Sequence, residues 1–239
     1  MKQAFYITLA AAGIAVSALS SCGNSCSTGS GDLATDTRKV DDFTKIEVSG
    51  GFKVTLKQDS SLSVVLTADD NLLGIIKTTV SGGTLKIKPE HNLCATDNAT
   101  VVIGVRNLEK IEGSGAVEFI SDGKLNTKDF DISLSGAGRV DLDLNAANVH
   151  TDVSGATELI LKGQATTHDV EFSGTGKINA LDFVVGSYNI ETSGASESKI
   201  NVLKSLIVKT SGASNIEYRG NPTTVKNHES GASSIKKID

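Results

Sequence analysis

Tryptophan is absent from this 239-residue chain, methionine occurs once, proline twice, cysteine three times and tyrosine three times. Aromatic residues make up 4% of positions, too few to build a platform that stacks on sugar rings. No basic excess is present either. The net charge is −5 and the pI about 5.4, so the electrostatic footprint of a nucleic-acid binder is missing and nucleic acid is excluded as a partner. No sustained run of apolar residues at three-four spacing occurs, which argues against long amphipathic helices. What is abundant points elsewhere. Twenty-four glycines, with plentiful Ser, Thr, Val and Ile, predict many short strands and many turns.

Residues 1–21 read as an export signal, with Lys2 followed by an apolar run from Ala4 to Leu19. Its end, Leu19-Ser-Ser-Cys22, resembles the bacterial lipobox, an aliphatic residue and two small residues before a cysteine. That resemblance implies cleavage before Cys22, acylation of its thiol and attachment to a membrane, each buried methylene contributing about 0.8 kcal/mol. The alternative is a soluble secreted protein cleaved near Ser21. Residues 22–40, rich in Gly and Ser, read as a flexible tether. An oxidising envelope permits a disulfide between Cys26 and Cys94, and the sequence leaves that pairing open. His91, Cys94 and Asp97 imitate a metal set but fall short of the four ligands of a structural zinc site, so they read as a polar loop.

From residue 113 onward one triplet recurs. Ser114-Gly115, Ser135-Gly136, Ser154-Gly155, Ser173-Gly174, Ser193-Gly194, Ser211-Gly212 and Ser230-Gly231 are each followed by Ala, or by Thr after Gly174. The spacings are 21, 19, 19, 20, 18 and 19 residues. Such a period is a repeat signature, and the leucine-rich framework of the same length is missing. Counting from each Ser, the positions one, three and five before it and five and seven after it are mostly apolar, and those between are polar. This period-two alternation sets an inward and an outward face. The expected fold is therefore all-β: a right-handed parallel β-helix with coils of about 19–20 residues and the triplet at a tight, stacked corner. Residues 41–239 are expected as one domain, with irregular opening turns over 41–112 and regular ones over 113–239. The inward columns turn polar at Asn227, Glu229 and Lys237, the mark of an exposed last turn through which two copies could form a homodimer.

Several segments carry a resemblance to a known family. Phe43 to Leu56 with Gly50 and Gly51, Gly82 to Lys88, Arg106 to Ala116 and the later Ser-Gly-Ala corners are similar to the putative auto-transporter adhesin, head GIN domain family. The resemblance spans about residues 40–235. It implies a β-helical bacterial envelope protein, often a lipoprotein, and supplies no catalytic residues to carry over.

The outward columns hold the candidate site. Asp131, Asp152, Asp169, Glu171 and Glu191 stand two or four positions before the corner on successive repeats. Carboxylates stacked about 5 Å apart could hold Ca²⁺, or serve a polysaccharide-active enzyme of lyase type with Arg139 as the basic partner. The competing reading is a solvated charged face. The seven serines lack the Gly-x-Ser-x-Gly elbow of a nucleophile. His168 falls in an apolar column between Val149 and Tyr188 and is expected as a core residue. The expectation is a non-enzymatic envelope lipoprotein, most consistent with an adhesin or binding protein for an extended polymer, a glycan or an envelope protein. The alternatives are the calcium-dependent polysaccharide enzyme and a structural lipoprotein that self-associates.

Overall fold

The computed structural model describes residues 26–94 and 99–239; the signal segment and Cys22 lie outside them. In chain order the described residues form β1 (Ser27–Thr28), β2 (Leu33–Lys39), β3 (Lys45–Gln58), β4 (Ser63–Asp69), a single helical turn α1 (Asp70–Leu73), β5 (Ile76–Ser81) and β6 (Thr84–Pro89). Then come β7 (Leu93–Cys94), β8 (Thr100–Val105), β9 (Lys110–Asn126), the very long β10 (Asp129–Arg219), β11 (Thr224–Gly231) and β12 (Ser234–Lys237). One ten-stranded sheet runs in the order β11-β10-β9-β3-β8-β4-β2, with β12 on β10, β6 on β3 and β5 on β6, while β1 and β7 make a separate pair.

The recurring triplet works as a corner that never leaves the ladder. Ser49-Gly50 pairs with Ser114-Gly115, which pairs with Ser135-Gly136; Ser211-Gly212 pairs in the same way with Ser230-Gly231. At Gly174, φ is +123°, and an added Cβ would stand 2.3 Å from the carbonyl oxygen of Gly155. The same approach, 2.2–2.7 Å, repeats at each corner from Gly115 to Gly231. Glycine is needed twice over there: its φ is one that L side chains avoid, and its Cα is seated on the preceding corner's backbone. Two of the adjoining serines bond within the stack. Ser114 Oγ donates to Ser49 Oγ at 2.8 Å, and Ser230 Oγ donates to the Thr210 carbonyl at 3.3 Å. Amides form a second row, in which Gln58 Nε2 donates to the Asn126 carbonyl at 2.9 Å, Asn145 Nδ2 to Asn126 Oδ1 at 3.1 Å and Gln164 Nε2 to Asn145 Oδ1 at 3.0 Å.

The inward columns make one apolar core from Phe43 to Ile216. It becomes more polar towards the C-terminus, where Thr192 and Ser196 both reach Ser214, at 2.9 and 3.2 Å, and β11 is almost wholly exposed.

The expectation of a regular right-handed parallel β-helix is corrected by the pairing. The sheet is mixed: β2 is antiparallel to β4, β4 is antiparallel to β8, and β5 is antiparallel to β6. The cause lies in the connections. Gly82 and Gly83, both at positive φ, close β5 onto β6 as a two-residue hairpin, and a hairpin can join only antiparallel strands. Parallel pairing governs β3 with β6, β8 and β9, and the triplet-bearing region beyond.

The tether expectation is also corrected within 26–40. Leu33–Lys39 is the sheet's edge strand, and Arg38 pins it by donating to the carbonyls of Leu73 (2.8 Å) and Ile76 (2.6 Å), to Thr78 Oγ1 and to the Asp36 carboxylate. Cys26 and Cys94 form a disulfide with a Cα–Cα distance of 5.1 Å, which holds β1 on β7. In the chain-entropy view, closing this 68-residue separation stabilises the fold by about 4 kcal/mol. Cys94 is therefore no metal ligand.

Gly123 is also at positive φ but has nothing within 4 Å of a built Cβ. Urea unfolding should show a loss of about 1–2 kcal/mol for Gly123→Ala, from backbone strain alone. Gly174→Ala should lose at least about twice as much, because a backbone oxygen has to move as well. Equal losses would mean that the corner has room for a side chain.

Candidate functional site

Two faces flank the corner stack, and they treat charge differently. Before the corner, the position two residues ahead of each Ser carries Asp152, Glu171, Glu191, Lys209 and His228 on successive rungs. All five are exposed, and they line a shallow groove of about 300 Å³ whose wall includes Ser173, Ser193 and Ser211. Glu191 meets Lys209 at 3.4 Å. Asp152 and Glu171 have no ion-pair partner within 4 Å among the described residues. Two carboxylates about 5 Å apart repel by about 0.8 kcal/mol in water, so the row is mildly strained and attracts a cation.

Three of the five acidic candidates are thus brought together. Asp131 and Asp169 stand on the neighbouring outward column, four before the corner, and do not line the groove; Asp131 is the cross-strand partner of Lys110. The three that gather form a row, not a cage. Among the described residues no group of three or more His, Cys, Asp or Glu side chains converges to hold a metal ion.

After the corner the arrangement is opposite. The position four residues beyond each Ser reads Lys53, Glu118, Arg139, Glu158, Lys177 and Glu197, an alternation of sign along the stack. Lys53 meets Glu118 at 3.8 Å, Arg139 meets Glu118 at 3.5 Å and also contacts Glu158, and Lys177 meets Glu197 at 3.7 Å. Lys199 reaches Glu197 at 3.3 Å and Glu217 at 3.7 Å. Each such surface pair contributes about 0–1 kcal/mol at most, but the row as a whole is neutral. Sequence reasoning passed over this ladder, although its signal is plain once residues are counted from the corner. Arg139 also bonds Asp141 at 3.6 Å and is fully occupied, so it is not a free basic partner for the acidic column.

His168 lies in the core, as its column predicts. Its Nε2 is 2.9 Å from Thr151 Oγ1, and its ring packs 4.9 Å from Tyr188 and 5.8 Å edge-on from Phe183. His168 Nδ1 and Tyr188 Oη are buried and have no hydrogen-bond partner among the described residues. Burial pushes the imidazole pKa down to about 3, with the charge of His150 adding to the effect, and burial pushes the Tyr188 phenol up. The pair is sealed from solvent and from both grooves.

The family described as putative auto-transporter adhesin, head GIN domain, matches residues 42–222. The chain belongs to that family. Among solved structures it is similar to a putative adhesin of Bacteroides fragilis at 23% identity, covering 88% of this chain and 99% of that one, with a TM-score of 0.81. A putative lipid binding protein of Parabacteroides distasonis is 21% identical over 90% of this chain and 100% of that one, with a TM-score of 0.73. A putative adhesin of Parabacteroides merdae is 20% identical over 89% and 99%, with a TM-score of 0.66. At these identities the likeness speaks for the fold. No curated protein matches the chain. Among the described residues no helix is long and apolar enough to cross a membrane.

The lowered His168 pKa has a definite sign in stability. Between its unfolded value of 6.5 and about 3, the unfolded chain binds a proton that the folded chain refuses. The contribution is complete above about pH 6.5 and is lost as pH falls towards 3, with a slope of at most about 1.4 kcal/mol per pH unit. His168→Leu should therefore lose stability less steeply than the parent between about pH 6 and 4 in urea titrations. Parallel curves would contradict a neutral buried imidazole.

Proposed function

We propose that the protein is a non-enzymatic lipoprotein of the bacterial envelope, held by acylated Cys22, that presents a flat, repetitive β surface to an extended partner in the manner of an adhesin. The observation that carries this reading is the contrast between the two faces. One row of charges is neutralised internally, whereas the groove beside Asp152, Glu171 and Glu191 keeps a net negative charge, because Lys209 pairs with Glu191 and leaves Asp152 and Glu171 without an ion pair among the described residues. A groove of that form suits a linear ligand with positive charges spaced along it, a basic polypeptide segment or a polymer of amino sugars. The family and the adhesin names of its structural relatives agree with a binding role.

The polar groups that could do chemistry are committed elsewhere. Ser114 and Ser230 bond within the corner stack, His168 and Tyr188 are sealed in the core, and Arg139 serves three carboxylates. The anchor side is also favourable. β2 and β11 end the sheet at opposite edges and the disulfide fixes β1 near the start of the chain, so the acidic column runs away from an N-terminal lipid.

The reading is tested with full-length protein expressed in a bacterial envelope. Cys22→Ala should move the chain out of the membrane fraction. Capture on immobilised poly-lysine and on chitosan oligomers should weaken at least about tenfold, or about 1.4 kcal/mol, in Asp152→Asn/Glu171→Gln/Glu191→Gln. Glu158→Gln, on the neutral face, should change capture little. Equal capture by the two variants would overturn the assignment of the binding face.

A further inference from the structure

A second notch, of about 730 Å³, opens on earlier rungs beside the column four positions before the corner, where the loops before β9 and β10 flank the start of β3. Three lysines converge on it: Lys45, Lys110 and Lys128. Lys45 and Lys110 are direct cross-strand partners, an arrangement of like charges that destabilises a sheet. Lys110 finds Glu112 at 3.0 Å, but Lys45 and Lys128 have no ion pair within 4 Å among the described residues. Lys110 also has Asp131 opposite it across the ladder, which leaves Lys45 and Lys128 as the cations that an anionic group in the notch would satisfy.

The rest of the lining says what kind of anion. Glu109 accepts from Thr44 Oγ1 at 3.0 Å, Asp129 accepts from Asn148 Nδ2 at 2.7 Å, and Asp131 completes the rim. Ionised carboxylates only accept hydrogen bonds, and each has lone pairs to spare. A simple inorganic anion offers them nothing and is repelled by them. A ligand that carries both an anionic group and several hydroxyl donors satisfies lysines and carboxylates together. The lining includes no aromatic ring, so recognition here is polar, and the volume is within the range of small-ligand sites.

From this we infer that the notch between Lys45, Lys110 and Lys128 is a binding site for an acidic saccharide unit, a polyhydroxylated ring bearing a carboxylate or phosphate. The site is separate from the acidic column and does not depend on it.

Calorimetry on the folded chain tests the inference with tri-galacturonate, its methyl ester, glucose 6-phosphate, a neutral galactose trisaccharide and inorganic phosphate. Tri-galacturonate or glucose 6-phosphate should bind, and whichever is tighter tells carboxylate from phosphate. Lys45→Gln/Lys128→Gln should weaken that binding at least tenfold, and Lys177→Gln, on the other face, should not. In ligand-free protein the double variant should keep or raise its urea midpoint, because it removes repulsion. Four results would overturn the inference: no binding of either acidic sugar, equal binding of the ester or the neutral trisaccharide, inorganic phosphate competing as well as the sugars, or a double variant that is less stable than the parent.

Discussion

The α-carbon of each corner glycine rests on the carbonyl oxygen of the corner before it, so closely that a single added methyl would stand 2.2–2.7 Å from that oxygen. This contact sets the register of everything beside it. With the corners locked, residues at equal distance from each Ser fall into columns, and period-two alternation sends each column in or out. The core, the amide row through Asn126, Asn145 and Gln164, and both charged faces follow from that one alignment. A slip of one residue would bury Asp152 and Glu171 and expose Val153 and Phe172, which makes any other register prohibitive.

Function then depends on what a column carries. Where signs alternate, as from Glu118 to Glu197, charges cancel across strands and the face is inert. Where signs repeat, as at Asp152, Glu171 and Glu191 or at Lys45 and Lys110, stability is sacrificed locally and the field extends into solvent. The fold thus carries two distinct charged features on one scaffold, a net-negative groove and a notch where lysines and carboxylates meet.

Much of the regular half was legible from spacing. Ile132, Val170, Ile190 and Val208 are buried where counting from the corner places them, and His168 shares the buried column of Phe130, Val149, Tyr188 and Leu206. The opening half was less legible because its contacts are long-range and of unequal spacing. Lys45 meets Lys110 across 65 residues, and nothing in the local pattern announces that pairing. Gly82-Gly83 did carry a local signal, the double glycine of a tight hairpin, and with it the antiparallel pairing that breaks the expected parallel regularity. Leu33–Lys39 resembled a tether because an edge strand needs little apolar content, and its place depends on Arg38, four hydrogen bonds that a composition count does not reveal. Of the acidic candidates, the shared column of Asp152, Glu171 and Glu191 was readable, and so was the offset of Asp131 and Asp169, which stand four and not two positions before the corner.

Native-state hydrogen exchange tests the central claim most directly. In sequence the Ser-Gly-Ala corners look like surface turns, and turns exchange quickly. If their backbones are the stacked spine of the molecule, amides at the corners from Gly136 to Gly194 should exchange as slowly as those of the flanking strand interiors, through the same global opening, while β11 opens locally. Corner amides that exchange at loop-like rates while the flanking strands stay protected would contradict it.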